Sequence, residues 1–273
     1  FFSPSMLSRL FGRNAAALPA RTAAAERLLK ALYKTQPKTV LDVGCTDPAI
    51  FATAAQDCER VVGIVRVEDD GDDAQILQQL QAELQSYNVE CAAMSANNIL
   101  PKLDIPFDAA VSEDLLSYTP EGPELILSGV YDALKPGGRF VGEIGADGNM
   151  ETFRMACYDF LREQGVDATP YDPYFFPTSS EFGAMLEAAG FEVVDVTELN
   201  HKALFPCRAD REDMALLDYM HTGMGSSFLK ALPDLAARRR MVNEVAHMCF
   251  QSLFHQGKWT YQSIRLQYTA VKK

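Results

Sequence analysis

The stretch Val40-Leu-Asp-Val-Gly-Cys45 decides how this chain is read. Three aliphatic residues around a single acid, with no polar alternation, mark a short strand buried on both faces of a sheet. The glycine after them marks a tight turn. Directly downstream, Asp47 reads as an N-cap and Pro48 as the first residue of a helix reaching Gln56. Upstream, Ala24, Leu28, Ala31 and Leu32 recur at helical spacing between Pro19 and Lys34, and Pro37 closes that helix.

The alternation continues. Arg60–Val67 is an apolar, β-branched run and reads as a second strand. A helix over Ala74–Ser86 puts Ile76, Leu77, Leu80 and Leu84 on one face. Val89–Ala93 and Phe107–Ser112 are further strands, and a helix around Pro123–Leu134 is closed by Lys135-Pro-Gly-Gly138 before the strand Arg139–Ile144. Strands alternating with helices build βαβ units and a mostly parallel sheet covered on both faces. Beyond Gly145 the rhythm changes: helices over 150–164 and 179–189, a strand over Phe191–Leu199, a helical stretch over Asp210–Phe254 broken near Gly223–Gly225 and Pro233, and a last strand over Thr260–Val271. The expected architecture is a Rossmann-like α/β fold with seven strands, the last antiparallel. A single domain over 26–273 carries a helical insertion at about 205–255, with residues 1–25 as a separate arm.

Composition narrows the function. The chain has 273 residues, 25 Lys+Arg against 37 Asp+Glu, and a formal charge of −12. That balance argues against a nucleic-acid partner, because phosphate neutralisation needs a basic face. No run reaches the eighteen or so apolar residues of a membrane span. The six cysteines include no CxxC pair, so they read as reduced, mostly buried thiols, and the four histidines show no metal-binding spacing. No GxSxG, HExxH or P-loop is present. Residues 1–25 contain Arg9, Arg13 and Arg21 and no acid, which are the marks of an import segment or of a retained basic anchor. The expected location is mitochondrial, with plastid or cytoplasm as alternatives. The expected partners are other protein subunits of an organellar complex, reached through that arm.

In order, Val40-Leu-Asp-Val-Gly-Cys45, Phe107-Asp-Ala-Ala-Val-Ser112, Leu134-Lys-Pro-Gly-Gly-Arg139 and Ala188-Ala-Gly-Phe191 form a series that resembles the class I S-adenosylmethionine-dependent methyltransferases, most closely the trans-aconitate methyltransferase type. The closing Tyr261-Gln-Ser-Ile-Arg-Leu-Gln-Tyr-Thr-Ala-Val-Lys272 is similar to that group's last strand. The resemblance implies a cofactor pocket at the strand ends, formed here by Asp42, Gly44, Cys45, Ser95, Ala96 and Ser112.

The resemblance also defines departures. The family's Gly-x-Gly-x-Gly turn reads Gly44-Cys-Thr-Asp-Pro48 here, so threonine and proline replace two glycines. The acid that takes the ribose hydroxyls is replaced by Val65, with Glu68 three residues on as the nearest substitute. The acid that contacts the adenine amino group is replaced by Ser95. Glu113 and Asp114 follow the fourth strand and read as a loop edge in water. With three contacts missing, no cofactor and no catalytic residue is expected. The chain reads as a degenerate methyltransferase acting as an accessory subunit. The alternative is an active S-adenosylmethionine-dependent enzyme acting on a small molecule such as a carboxylic acid.

Overall fold

The computed structural model describes residues 22–45, 48–66, 88–94, 99–119, 122–207 and 210–273. Thr22 caps the first helix, α1 (Ala23–Leu32), its hydroxyl accepting from the Ala25 amide at 2.9 Å. Ala23–Ala25, inside the basic N-terminal stretch, thus belong to α1, and Ala25 is fully buried. Then come β1 (Thr39–Val43), α2 (Pro48–Asp57), β2 (Arg60–Arg66), β3 (Val89–Met94) and β4 (Phe107–Glu113). They are followed by α3 (Glu124–Ala133), β5 (Leu134–Gly145), α4 (Glu151–Glu163), α5 (Ser179–Ala188) and β6 (Phe191–Leu204). The chain closes with α6 (Ala215–Thr222), a 3-10 stretch Met224–Ala231, α7 (Leu235–Leu253), β7 (Phe254–His255) and β8 (Lys258–Lys272). The expected Asp47 cap and the helix over Ala74–Ser86 lie outside the described residues.

Seven strands run in the order β3-β2-β1-β4-β5-β8-β6, and the short β7 pairs with β8 beside that path. β1 to β5 are parallel to one another, while β8 is antiparallel to both β5 and β6. This is the expected Rossmann-like sheet with its antiparallel last strand. On one face, Ile126, Leu127 and Val130 of α3 and Phe182 and Leu186 of α5 pack on Leu41, Ile64, Phe140 and Tyr268. On the other, Leu28 and Leu32 of α1 and Ile50 and Phe51 of α2 cover Val40, Val61 and Val111.

β6 and β8 exceed their expected lengths. β5 stops pairing with β8 at Gly145↔Arg265, whereas β6 continues along β8 to Leu204↔Thr260. The projecting hairpin carries a third apolar cluster, in which Phe153 and Phe160 of α4, Leu216 and Tyr219 of α6 and Val242 and Val245 of α7 pack with Phe205 and Trp259. The helical segments therefore stand beside the C-terminal ends of the parallel strands, where α/β sheets place their ligands.

At the opposite end of the sheet one carboxylate joins three strands. Asp108 Oδ2 accepts from the amides of Lys38 and Thr39 at 3.0 and 2.9 Å, and Lys135 Nζ donates to Oδ1 at 2.6 Å. Burial alone would raise its pKa, but Lys135, the two amides and the Thr39 hydroxyl outweigh burial and hold it at about 2. A depressed carboxyl stabilises the fold above its unfolded pKa of about 3.9 and loses that contribution as pH falls towards its folded value. Asp108→Asn is expected to lower stability at pH 7 and to flatten the acid limb between about pH 4 and pH 2, read from urea midpoints across that range. An unchanged acid limb would show that Asp108 does not tie the strands.

Candidate functional site

The turn after β1 is built by two residues with positive φ, Gly44 at 108° and Cys45 at 46°. The Gly44 amide donates to Ile64 O at 2.8 Å, which ties the turn to β2. A Cβ at position 44 would lie 2.8 Å from Leu115 Cβ, so glycine is required both by φ and by the approach of Leu115. The Cys45 thiol is buried, donates to Asp42 O at 3.6 Å, and fills the room left by the absent side chain of Gly63. Burial, then the nearby Asp42, raises its pKa, so it stays a neutral thiol. Asp42 is buried beneath the turn. Ser112, at the end of β4, donates its hydroxyl to Val43 O at 2.9 Å.

Four of the residues that the sequence marks as a pocket, Asp42, Gly44, Cys45 and Ser112, therefore meet at the C-terminal ends of β1 and β4. The Cys45 and Ser112 protons are both donated to the chain's own carbonyls. Ser95 and Ala96, together with Thr46, Asp47 and Glu68, lie outside the described residues.

Beside this turn runs a ladder of alternating charge. Arg265 of β8, 10% exposed at its side chain, sends Nη1 to Asp114 Oδ1 at 2.5 Å and Nε to Glu143 Oε1 at 3.2 Å. Glu143 of β5, 3% exposed, takes a second guanidinium from α1, Arg27 Nη2 at 2.8 Å from Oε2. Burial would lower the Arg265 pKa, but Asp114 and Glu143 raise it further, so the guanidinium stays charged. Asp114 itself has φ of 61° and a one-third exposed side chain, and Ser117 Oγ donates to its Oδ1 at 3.3 Å. A non-glycine residue in the left-handed region at a strand end is a strained position that the surrounding bonds must hold.

This ladder was not read from the sequence, where Glu113-Asp114 looked like a loop edge in water. The available signal was a charge in the interior of each of two expected strands, Glu143 within Arg139–Ile144 and Arg265 within Thr260–Val271. A charge that a buried strand carries needs a partner.

The strand order, the glycine turn after β1 and the helical cluster over the strand ends define a class I methyltransferase fold. A profile described as a methyltransferase domain matches residues 15–196, and the chain belongs to that family. It is 26% identical to an uncharacterised methyltransferase of Schizosaccharomyces pombe, over 96% of each chain. It is 27% identical to a ubiquinone biosynthesis O-methyltransferase of Pseudomonas fluorescens, over 61% of this chain and 70% of the relative. Among solved structures, the YcgJ protein of Bacillus subtilis superposes with a TM-score of 0.58 at 14% identity, covering 92% of this chain and 98% of that one, a likeness of fold alone.

The family implies S-adenosylmethionine, and the strand ends test whether this chain fits it. Val65, at the end of β2 and register partner of Ala93, is half-buried and aliphatic and can accept no bond from a ribose hydroxyl. α2 opens on Pro48, which has no amide to donate at the helix end nearest the turn. Gly44 keeps the turn geometry, but the room it leaves is taken by Leu115. The described residues do not fit the ribose end of the cofactor. Among them no group of three or more His, Cys, Asp or Glu side chains could hold a metal, and no helix is long and apolar enough to cross a membrane.

The ladder's energetic role separates two substitutions. Glu143→Leu leaves Arg265 with one partner instead of two and is expected to cost about 3–5 kcal/mol in urea unfolding. Arg27→Met removes a guanidinium whose side chain is 34% exposed and is expected to cost about 1 kcal/mol or less. Equal losses would place the ladder's stabilisation at its α1 end instead.

Proposed function

We propose that this chain is a methyltransferase-family protein that no longer uses S-adenosylmethionine and acts through its surface as a subunit of a larger assembly. The observation that carries this reading is Val65. Two ribose hydroxyls left without acceptors cost about 1–3 kcal/mol each, and each 1.4 kcal/mol is about tenfold in affinity. Contacts within the chain hold the turn: the Gly44 amide donates to Ile64 O, Leu115 packs against Gly44, and Ser112 donates to Val43 O. The acid-free N-terminal stretch with Arg9, Arg13 and Arg21 supports a mitochondrial setting and a basic contact with partner proteins.

A second reading is an active S-adenosylmethionine-dependent methyltransferase acting on a small molecule. It is supported by the Schizosaccharomyces pombe relative, which is named a methyltransferase and matches over 96% of both chains. Glu68 would then take the ribose contact that Val65 does not, and Ser95 would accept from the adenine amino group.

Calorimetric titration separates the two. The wild-type chain is expected to bind S-adenosylmethionine no tighter than about 100 µM, and Val65→Asp is expected to tighten binding by about tenfold or more. Low-micromolar binding by the wild type would overturn the first reading in favour of the second.

A further inference from the structure

We infer that the free edge of β6 pairs antiparallel with the same edge of a second copy of this chain, about a two-fold axis at Leu199. β6 ends the strand order, and among the described residues it pairs with β8 alone. One row of its backbone N–H and C=O groups therefore meets no strand, which makes it a template for another chain. At the other end of the order the edge strand β3 has six residues, whereas β6 has fourteen.

The devices that blunt a sheet edge are confined to one end of this strand. The register against β8 shifts between Val193 and Asp195, so Val194 is a bulge, and from Asp195 to Leu204 the pairing is unbroken. Asp195–Ala203 contains neither proline nor glycine. Among the described residues, no residue of β6 beyond Val196 joins any of the three apolar clusters. Thr197 and His201 on one face of the strand, and Glu198, Asn200 and Lys202 on the other, are exposed. Both faces and the edge of this stretch are therefore open to a second chain.

Charge selects the occupant and its direction. Asp195 and Glu198 stand in the first half of the regular stretch, His201 and Lys202 in the second. A parallel copy sets acid against acid, while an antiparallel copy sets the acidic half against the basic half. A two-fold axis at Leu199 uses the whole regular stretch, with Asp195 opposite Ala203 at each end. That register pairs Thr197 with His201 and Glu198 with Asn200, and it brings Glu198 diagonally beside Lys202. No like charges stand directly opposite. It also sets Val194 against Leu204, the two exposed large apolar side chains of β6, at 54% and 43% exposure. β6 lies beyond β5 and β8 from the turn after β1, so the inference stands whichever reading of the cofactor holds.

Sedimentation equilibrium of the full chain between about 1 and 100 µM is expected to show a monomer–dimer equilibrium. The double variant His201→Glu, Lys202→Glu makes the edge acidic throughout, and Asp195→Lys, Glu198→Lys makes it basic throughout. Each alone is expected to weaken the dimer by about tenfold or more, and an equimolar mixture of the two is expected to restore it. Leu199→Cys, in a Cys207→Ser background that removes the exposed native thiol, reports the register without altering charge. Its two copies face each other across the axis at about 5 Å between Cβ atoms, so a short bismaleimide is expected to join them. Glu192→Cys in the same background lies about 45 Å from its mate and is expected to stay unjoined. A monomer over the whole range, a dimer that both charge variants keep, a mixture that stays monomeric, or equal cross-linking at the two cysteine positions overturns the inference. If a charge variant fails to fold, the two cysteine variants decide it alone.

Discussion

A guanidinium held between two carboxylates organises the functional end of this molecule. Arg265 is nearly buried, and a lone buried cation costs several kcal/mol. It is tolerated because Asp114 directly follows β4 and Glu143 lies near the C-terminal end of β5, each at bonding distance. Those bonds fix β8 against β4 across β5, hold Asp114 in its left-handed conformation and give α1 an anchor through Arg27. The projecting β6–β8 hairpin, and with it the helical cluster, takes its position from the same strand. Sheet, N-terminal helix and helical cap are therefore joined at one buried charge.

The fold was legible because its signals are local. The run Thr39–Val43 could only be a doubly covered strand, and Gly44, Pro37 and Pro233 punctuate the chain where elements end. Lys135-Pro-Gly-Gly138, expected to close a helix ahead of a strand from Arg139, instead lies within β5, which begins at Leu134 with a register shift against β4. β6 and β8 were read five and three residues short, since Asn200, His201, Lys202 and Lys258 look like loop residues until the partner strand satisfies their backbones. The site was legible only in part. Asp42, Gly44, Cys45 and Ser112 belong to short motifs and were found. Arg265 and Glu143 are 122 residues apart and become partners only through the antiparallel register of β5 and β8.

The residues at the strand ends differ in where their roles can be read. Val65 shows its deficiency in its residue type. The Cys45 thiol and Ser112 hydroxyl show theirs only in the fold, where each is turned onto the chain's own carbonyls. Leu115 gives a packing reason for glycine at position 44, since a Cβ there would meet its side chain. Family membership shows the fold, and alone it does not establish the activity.

The central claim is that the scaffold of a methyltransferase persists here without its cofactor. Native mass spectrometry of the full chain, purified from cells without added ligand, tests it most directly. The account predicts a single mass for the polypeptide, with no S-adenosylmethionine or S-adenosylhomocysteine carried through purification. A stoichiometric adduct of either mass, lost in Gly44→Ala, would contradict it.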